Sequence, residues 1–203
     1  MNLDNKPMKR LSLYLFLILF TLQTPSQADD IRDFQIEGMS IGDSLLDYIS
    51  EQEIEEKKNS FRDKGYLYSS KKFYSLTFDK FPTLKQYDQL QFHLKDKDKS
   101  YKIYSFTGIQ LFRNNIKNCY KVLDKVELEL DNLLTNAKKE KNENAKHSSG
   151  KGVSTNIWYF YKSGSNIFAA CEDWTEESNI PDDLAIAINS KEFQYFIDNE
   201  AFK

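Results

Sequence analysis

Three observations predict an α+β fold for this chain, with helices packed on one face of one antiparallel sheet or of two consecutive ones, in the order ααβββ-αβββα. Apolar and polar residues alternate in six segments, three between residues 72 and 112 and three between residues 153 and 188, which is the pattern of strands with one buried face. Between these groups the period changes. Ile116, Tyr120, Leu123, Val126, Leu130, Leu134 and Ala137 recur every three or four residues within Arg113–Ala137, as a helix burying one stripe requires. The connections inside each strand group are short, which favours antiparallel pairing, because parallel neighbours need a long crossover.

The elements follow in order. A short extended piece around Phe34 and Ile36 is broken by Gly38. Ser40 and Ser50 then stand at positions suited to capping two short helices, near 41–49 and 51–59, and Ser50 with Glu53 completes a capping box. Leu45, Leu46 and Ile49 form the buried side of the first helix. In the first strand Tyr74, Leu76 and Phe78 share one face, and Phe73, Ser75 and Thr77 the other. In the second, Leu90, Phe92 and Leu94 point inward, while Gln89, Gln91 and His93 point outward. The third runs to Phe112, with Gly108 marking a bulge or bend. The long helix is capped at Asn114 or Asn115. It gives way to residues 138–152, charged and then rich in Gly and Ser, which read as a solvated, mobile connection. A hairpin follows, with Val153, Thr155, Ile157, Tyr159 and Tyr161 alternating against Trp158 and Phe160. Lys162–Ser165 form its turn, and Ile167, Ala169 and Cys171 line the return strand. Leu184, Ile186 and Ile188 mark a last strand. A final helix capped near Asn189 or Ser190 buries Phe193, Phe196 and Ile197.

The first residues read as an address. Lys6, Lys9 and Arg10 precede an apolar run at residues 11–22, and Ser26 and Ala28 occupy the small-residue positions of a cleavage site. The run is shorter than the roughly 20 residues that a membrane span needs, so residues 1–28 are expected to be a signal peptide cut between Ala28 and Asp29. A single α+β domain, residues 29–203, remains, periplasmic or secreted and with no stable membrane insertion. Removal of residues 1–28 strips three positive charges and one negative, taking the net charge from −3 to −5. The chain has only four arginines; lysine, which supplies the rest of the positive charge, lacks the planar fork that reads guanine edges, so nucleic acid is not an expected partner. Cys119 and Cys171 are the only cysteines. In an exported protein they most economically form one disulfide tying the long helix to the hairpin; the alternative is two buried thiols.

No complete catalytic set is legible. Gly42-Asp43-Ser44-Leu45 resembles the first block of the GDSL-type (SGNH) esterases, a resemblance that implies a nucleophilic role for Ser44. The family's base is a histidine three residues after an aspartate near the C-terminus. Here the histidines are His93 and His147, and neither has an aspartate at that spacing. A serine without a base in reach is a weak nucleophile, so Ser44 is expected to cap a helix. Ile36-Glu37-Gly38-Met39-Ser40, followed by helices and strands, resembles the helix entry of SmpA/OmlA and beta-lactamase-inhibitor-like domains, which implies a role in protein–protein contact. Over the full length, Asp33–Tyr48, Asn114–Tyr120 and Cys171–Trp174 resemble an uncharacterised family of exported proteins of marine bacteria, which implies export and a shared fold but no activity.

The remaining candidates are surface features. His93 and His147 read as ordinary surface histidines, and Glu172, Asp173, Glu176 and Glu177 as a solvated acidic turn lacking the alternating pattern of a calcium loop. Neither a metal nor another cofactor is expected. The aromatic residues around the hairpin are core or the floor of a ligand groove, for which Trp158, Phe160 and Trp174 are the candidates. The expected function is a non-enzymatic binding or protein-interaction domain, with another envelope protein as the candidate partner; a structural envelope or stress protein is the other non-catalytic alternative.

Overall fold

The computed structural model describes residues 31–60, 68–113, 115–147 and 150–203. The expected signal peptide and its cleavage site at Ala28 and Asp29 lie outside the described residues. Seven strands form one antiparallel sheet: β1 (Phe73–Phe78), β2 (Gln89–Lys95), β3 (Ile103–Leu111), β4 (Lys138–Lys146), β5 (Gly152–Phe160), β6 (Asn166–Trp174) and β7 (Asp183–Asn189), in the spatial order β1-β2-β3-β7-β6-β5-β4. The two strand groups are therefore halves of one sheet. β7, last in sequence, pairs with β3 on one side and β6 on the other and joins them.

One face carries the main core. Tyr74, Leu76, Phe78, Leu90, Phe92, Leu94 and Phe106 from β1–β3 meet Ile157, Tyr159, Ile167, Ala169, Cys171, Leu184, Ile186 and Ile188 from the other half in a single buried cluster. The period-two alternation puts all of them on the same side. Two things cover them. Over β6 and β7 lies α2 (Ile116–Leu133), inserting Cys119, Leu123, Val126 and Leu130. The N-terminal segment supplies Phe34, Ile36, Met39, Ile41, Leu45, Ile49 and the fully buried Ile54 of α1 (Glu51–Ser60) to the same cluster. The Ser50–Glu53 capping box forms at the start of α1: the Ser50 amide donates to Glu53 Oε2 at 2.9 Å and the Glu53 amide to Ser50 Oγ at 3.2 Å.

The disulfide joins Cys119 to Cys171 across a sequence separation of 52, with both residues fully buried. It staples α2 to β6. Among the described residues no helix is long and apolar enough to cross a membrane.

Several details depart from the sequence reading. The first expected helix is one 3-10 turn, Leu45–Asp47, because Gly42 and Leu45 donate backbone hydrogen bonds to Ile103 and Tyr101 and hold that segment against β3. Residues 138–146 of the expected linker are strand β4, almost wholly exposed and paired along β5. It is an edge strand, and its alternating lysines and glutamates, with a register shift between Asn142 and Ala145, are features that discourage edge-to-edge association. Gly108 sits in regular pairing with Leu90 and Ile186. A Cβ there would lie 2.7 Å from the Tyr87 ring, so the glycine admits an aromatic side chain rather than bending the strand. The register shift falls instead opposite His93 and Leu94 and leaves Tyr104 as the extra residue. Finally, α3 (Lys191–Asn199) packs on the opposite face of the sheet from α2. Its Phe193 and Phe196 form a second small core with Phe73 and Ala201, against Tyr68, Tyr104 and Ile197.

Candidate binding surface

The face away from α2 is ordered in rows set by the strand register. One row runs Phe160–Asn166–Asn189–Ser105–His93–Ser75, and α3 lies over its Asn166 and His93. Three of the row's polar side chains are chained to α3: Ser105 Oγ donates to Asn189 Oδ1 at 2.6 Å, Asn189 Nδ2 to Asn166 Oδ1 at 2.9 Å, and Asn166 Nδ2 to Gln194 Oε1 of α3 at 2.6 Å. This chain docks the last helix by hydrogen bonds as well as by its two phenylalanines.

His93 belongs to that row. Its outward direction is as expected, but α3 closes over it, so it is buried rather than a surface histidine. The ring lies 4.5 Å from that of Phe193, and Nε2 is 3.1 Å from the Tyr68 hydroxyl. Burial depresses its pKa from 6.5 to about 3, because the imidazolium would be desolvated. A depressed histidine binds its proton more weakly folded than unfolded. Its stabilisation is therefore present above pH 6.5 and is lost as pH falls toward 3. Replacing His93 by leucine is expected to flatten the acid limb of a stability–pH profile, removing about 3 kcal/mol of the loss between pH 6.5 and pH 4. Denaturant unfolding of both proteins across that range measures it, and parallel profiles would contradict the assignment.

Beyond α3 the face is open over β5, β6 and β7. Trp158 and Phe160 stand side by side on β5, their rings parallel within 5° and 5.7 Å apart, and the Phe168 ring lies 4.3 Å from Trp158. All three are half-buried. Small residues pave the neighbouring positions: Phe168 faces Ala187 across β6 and β7, and Ala170 faces Ala185. A polar strip borders the aromatic group. Trp158 Nε1 donates to Asn156 Oδ1 at 3.2 Å, Asn142 Nδ2 donates to the same oxygen at 3.1 Å, and Asn156 Nδ2 donates to Ser154 Oγ at 3.1 Å. These bonds fix the indole on a rigid sheet, the kind of preorganisation a binding surface uses.

The strip ends in carboxyls. Ser154 Oγ donates to Glu172 Oε1 at 3.0 Å, and Glu172 is directly opposite Asp183 in the β6–β7 register. Trp174 Nε1 donates to Asp183 Oδ2 at 3.0 Å, and its amide donates to Asp182 Oδ1 at 3.2 Å. Burial raises the Glu172 carboxyl to about 7 and the Asp183 carboxyl to about 6. The solvated acidic turn expected there is thus only partly realised: Glu176 and Glu177 are exposed, while Glu172 is drawn into the sheet. Trp174 also walls a pocket of about 470 Å³ with Lys146, Gly152, Val153, Asp173 and Thr175, and the His147 ring packs 4.4 Å from the indole.

The three groove candidates therefore share one face without forming one groove. Trp158 and Phe160 form one end, with Phe168, which the alternation alone did not single out. Trp174 is six residues from Phe168 along β6, about 20 Å at the usual rise per strand residue. Phe168 carried a signal: it shares the parity of Glu172 and Trp174, opposite to that of the core residues.

Ser44 is a capping residue. Its Oγ accepts from the Leu46 amide at 3.2 Å and donates to the Ser100 carbonyl at 2.7 Å. The neighbouring Asp43 carboxylate accepts from the Ser40 amide and the Tyr48 hydroxyl. Nε2 of His93 is paired with the Tyr68 hydroxyl, and the His147 ring packs on Trp174. Among the described residues no group of three or more His, Cys, Asp or Glu side chains is arranged to hold a metal ion. No family model matches the chain, and neither a curated protein nor a solved structure matches it significantly.

Proposed function

We propose that this chain is an exported, non-enzymatic binding domain that engages a partner, such as another protein of the cell envelope, through the open face of β5–β7. The observation that carries this reading is the half-buried group of Trp158, Phe160 and Phe168, held on a rigid sheet by the Trp158–Asn156 bond. Aromatic side chains of this kind supply large contact area at low entropic cost and are enriched at recognition surfaces. Two further features favour the reading. The pairing of the only two cysteines suits an oxidising compartment. Ser44 is engaged as a cap, which argues against a nucleophilic role.

The test is a capture experiment on envelope extracts with the purified protein and its Trp158→Ala variant, accompanied by an ester-hydrolysis assay with p-nitrophenyl acetate. The expected result is a reproducible partner retained by the native protein and lost by the variant, with no hydrolysis that depends on Ser44. Hydrolysis abolished by Ser44→Ala would overturn the reading in favour of an esterase. A partner retained equally by Trp158→Ala would place the binding surface elsewhere.

A further inference from the structure

We propose that Glu172 and Asp183 form a one-proton latch that sets the position of Trp174, and with it the wall of the 470 Å³ pocket, according to pH. The inference concerns regulation and is independent of what occupies the aromatic group at the other end of the face.

The geometry is that of two carboxyls facing each other across adjacent strands. Glu172 and Asp183 are register partners with side chains on the same face, and like charges directly opposite one another are destabilising. Glu172 Oε1 is occupied by the Ser154 hydroxyl, whereas Oε2 is buried and has no hydrogen-bond partner. A buried oxygen in that state is costly as a bare acceptor. Protonation removes that cost, and with it the repulsion from the Asp183 carboxylate at the facing register position.

Among the described residues, no observed ion pair gives either carboxyl a counter-ion. On β6 itself the neighbour is Asp173; next to Asp183 is Asp182, whose carboxylate raises Asp183 further. On the other face of the sheet, α2 presents Tyr120, a neutral hydroxyl that feels the charges of Asp173, Asp182 and Glu172. From β5 the facing group is the Ser154 hydroxyl, and from the end of β4 come Lys146, at the pocket, and His147, against Trp174. None of the ion pairs seen among the described residues includes Glu172 or Asp183.

The device then works as follows. Between about pH 6 and 7 the pair holds one proton, in keeping with the raised affinities of both groups. In this state Glu172 is neutral, so the Asp183 carboxylate faces no like charge across the strands and holds the Trp174 indole. As pH rises, the proton leaves to solvent and two facing negative charges remain. Asp183 is displaced, and Trp174 moves with it.

The experiment follows the indole N–H resonances of ¹⁵N-labelled protein from pH 5 to pH 9. The native protein is expected to show a sigmoidal shift of the Trp174 resonance with a midpoint near neutrality, while the Trp158 resonance stays flat. Glu172→Gln should abolish the step. His147→Gln should keep it, which separates the latch from titration of the imidazole packed on the same indole. A flat Trp174 resonance, a step that survives Glu172→Gln, or one that vanishes with His147→Gln would overturn the proposal. If Glu172→Gln does not fold, the side-chain carboxyl ¹³C resonance of Glu172 in the native protein decides the matter directly: titration near neutrality supports the latch, and an ordinary glutamate titration eliminates it.

Discussion

Replacing Cys119 and Cys171 together by alanine is expected to destabilise the protein by about 4 kcal/mol, the loop-closure entropy that a cross-link over a separation of 52 residues removes from the unfolded chain. In a chain of this size that corresponds to a fall in melting temperature of about 8–16 °C. The location of the staple adds a structural prediction. α2 is anchored at its first turn by Cys119 and farther along by Leu123, Val126 and Leu130. Its N-terminus has no side-chain capping bond from Asn115, so the cross-link holds the end that lacks a cap. Hydrogen exchange in the double variant should therefore accelerate first in residues 116–123. Thermal unfolding monitored by circular dichroism reads the global effect, and an unchanged melting temperature would show that α2 docks without the staple.

The second large effect is expected at Phe92. Its side chain is fully buried, and its ring lies 5.9 Å from Phe78, 5.2 Å from Phe81 and 6.2 Å from Phe106. Truncation to alanine removes transfer energy and leaves a cavity among rings attached to two strands and a loop, so the expected loss is about 3–5 kcal/mol. Leucine at the same position should cost less, since it fills part of the space. Equilibrium denaturation of the two variants tests the order. Equal losses would indicate that the aromatic cluster collapses around either side chain.

Both predictions concern the face that the sequence made legible. On each of β1, β2, β6 and β7 the residues set on one face by alternation are those that enter the main cluster, and of the β5 set Ile157, Tyr159 and Tyr161 enter it while Val153 and Thr155 do not. The reason is physical: a strand alternates with a period of two whatever its partners are, so one buried face marks the sequence locally. The same holds for the stripe of α2 and for the capping box at Ser50 and Glu53. Cysteine pairing was legible for a different reason, that only one intramolecular pairing is available to two cysteines.

The candidate site was legible only in part. Trp158, Phe160 and Trp174 drew notice as aromatic residues around the hairpin, either core or groove floor, but their common face and their separation along it depend on register. β4 was missed because an edge strand exposed on both faces carries no apolar alternation; Lys138–Lys146 reads as solvated chain, and only its pairing with β5 makes it a strand. His93 was assigned to solvent by parity, correctly as to direction, but parity could not supply the cover of α3; Glu172 read as part of an acidic turn, and only the pairing of β6 with β7 places it opposite Asp183.

By itself, then, the sequence determined the fold class, the core-facing residues of β1, β2, β6 and β7, the long amphipathic helix and the cysteine pair, all of which are properties of local period or of composition. Only the tertiary structure decided that the strands make one sheet closed by β7, that α3 crosses to the other face and buries His93, and that Glu172 meets Asp183. These are contacts between residues distant in the chain. No local pattern encodes them, because they arise from which strand ends up beside which.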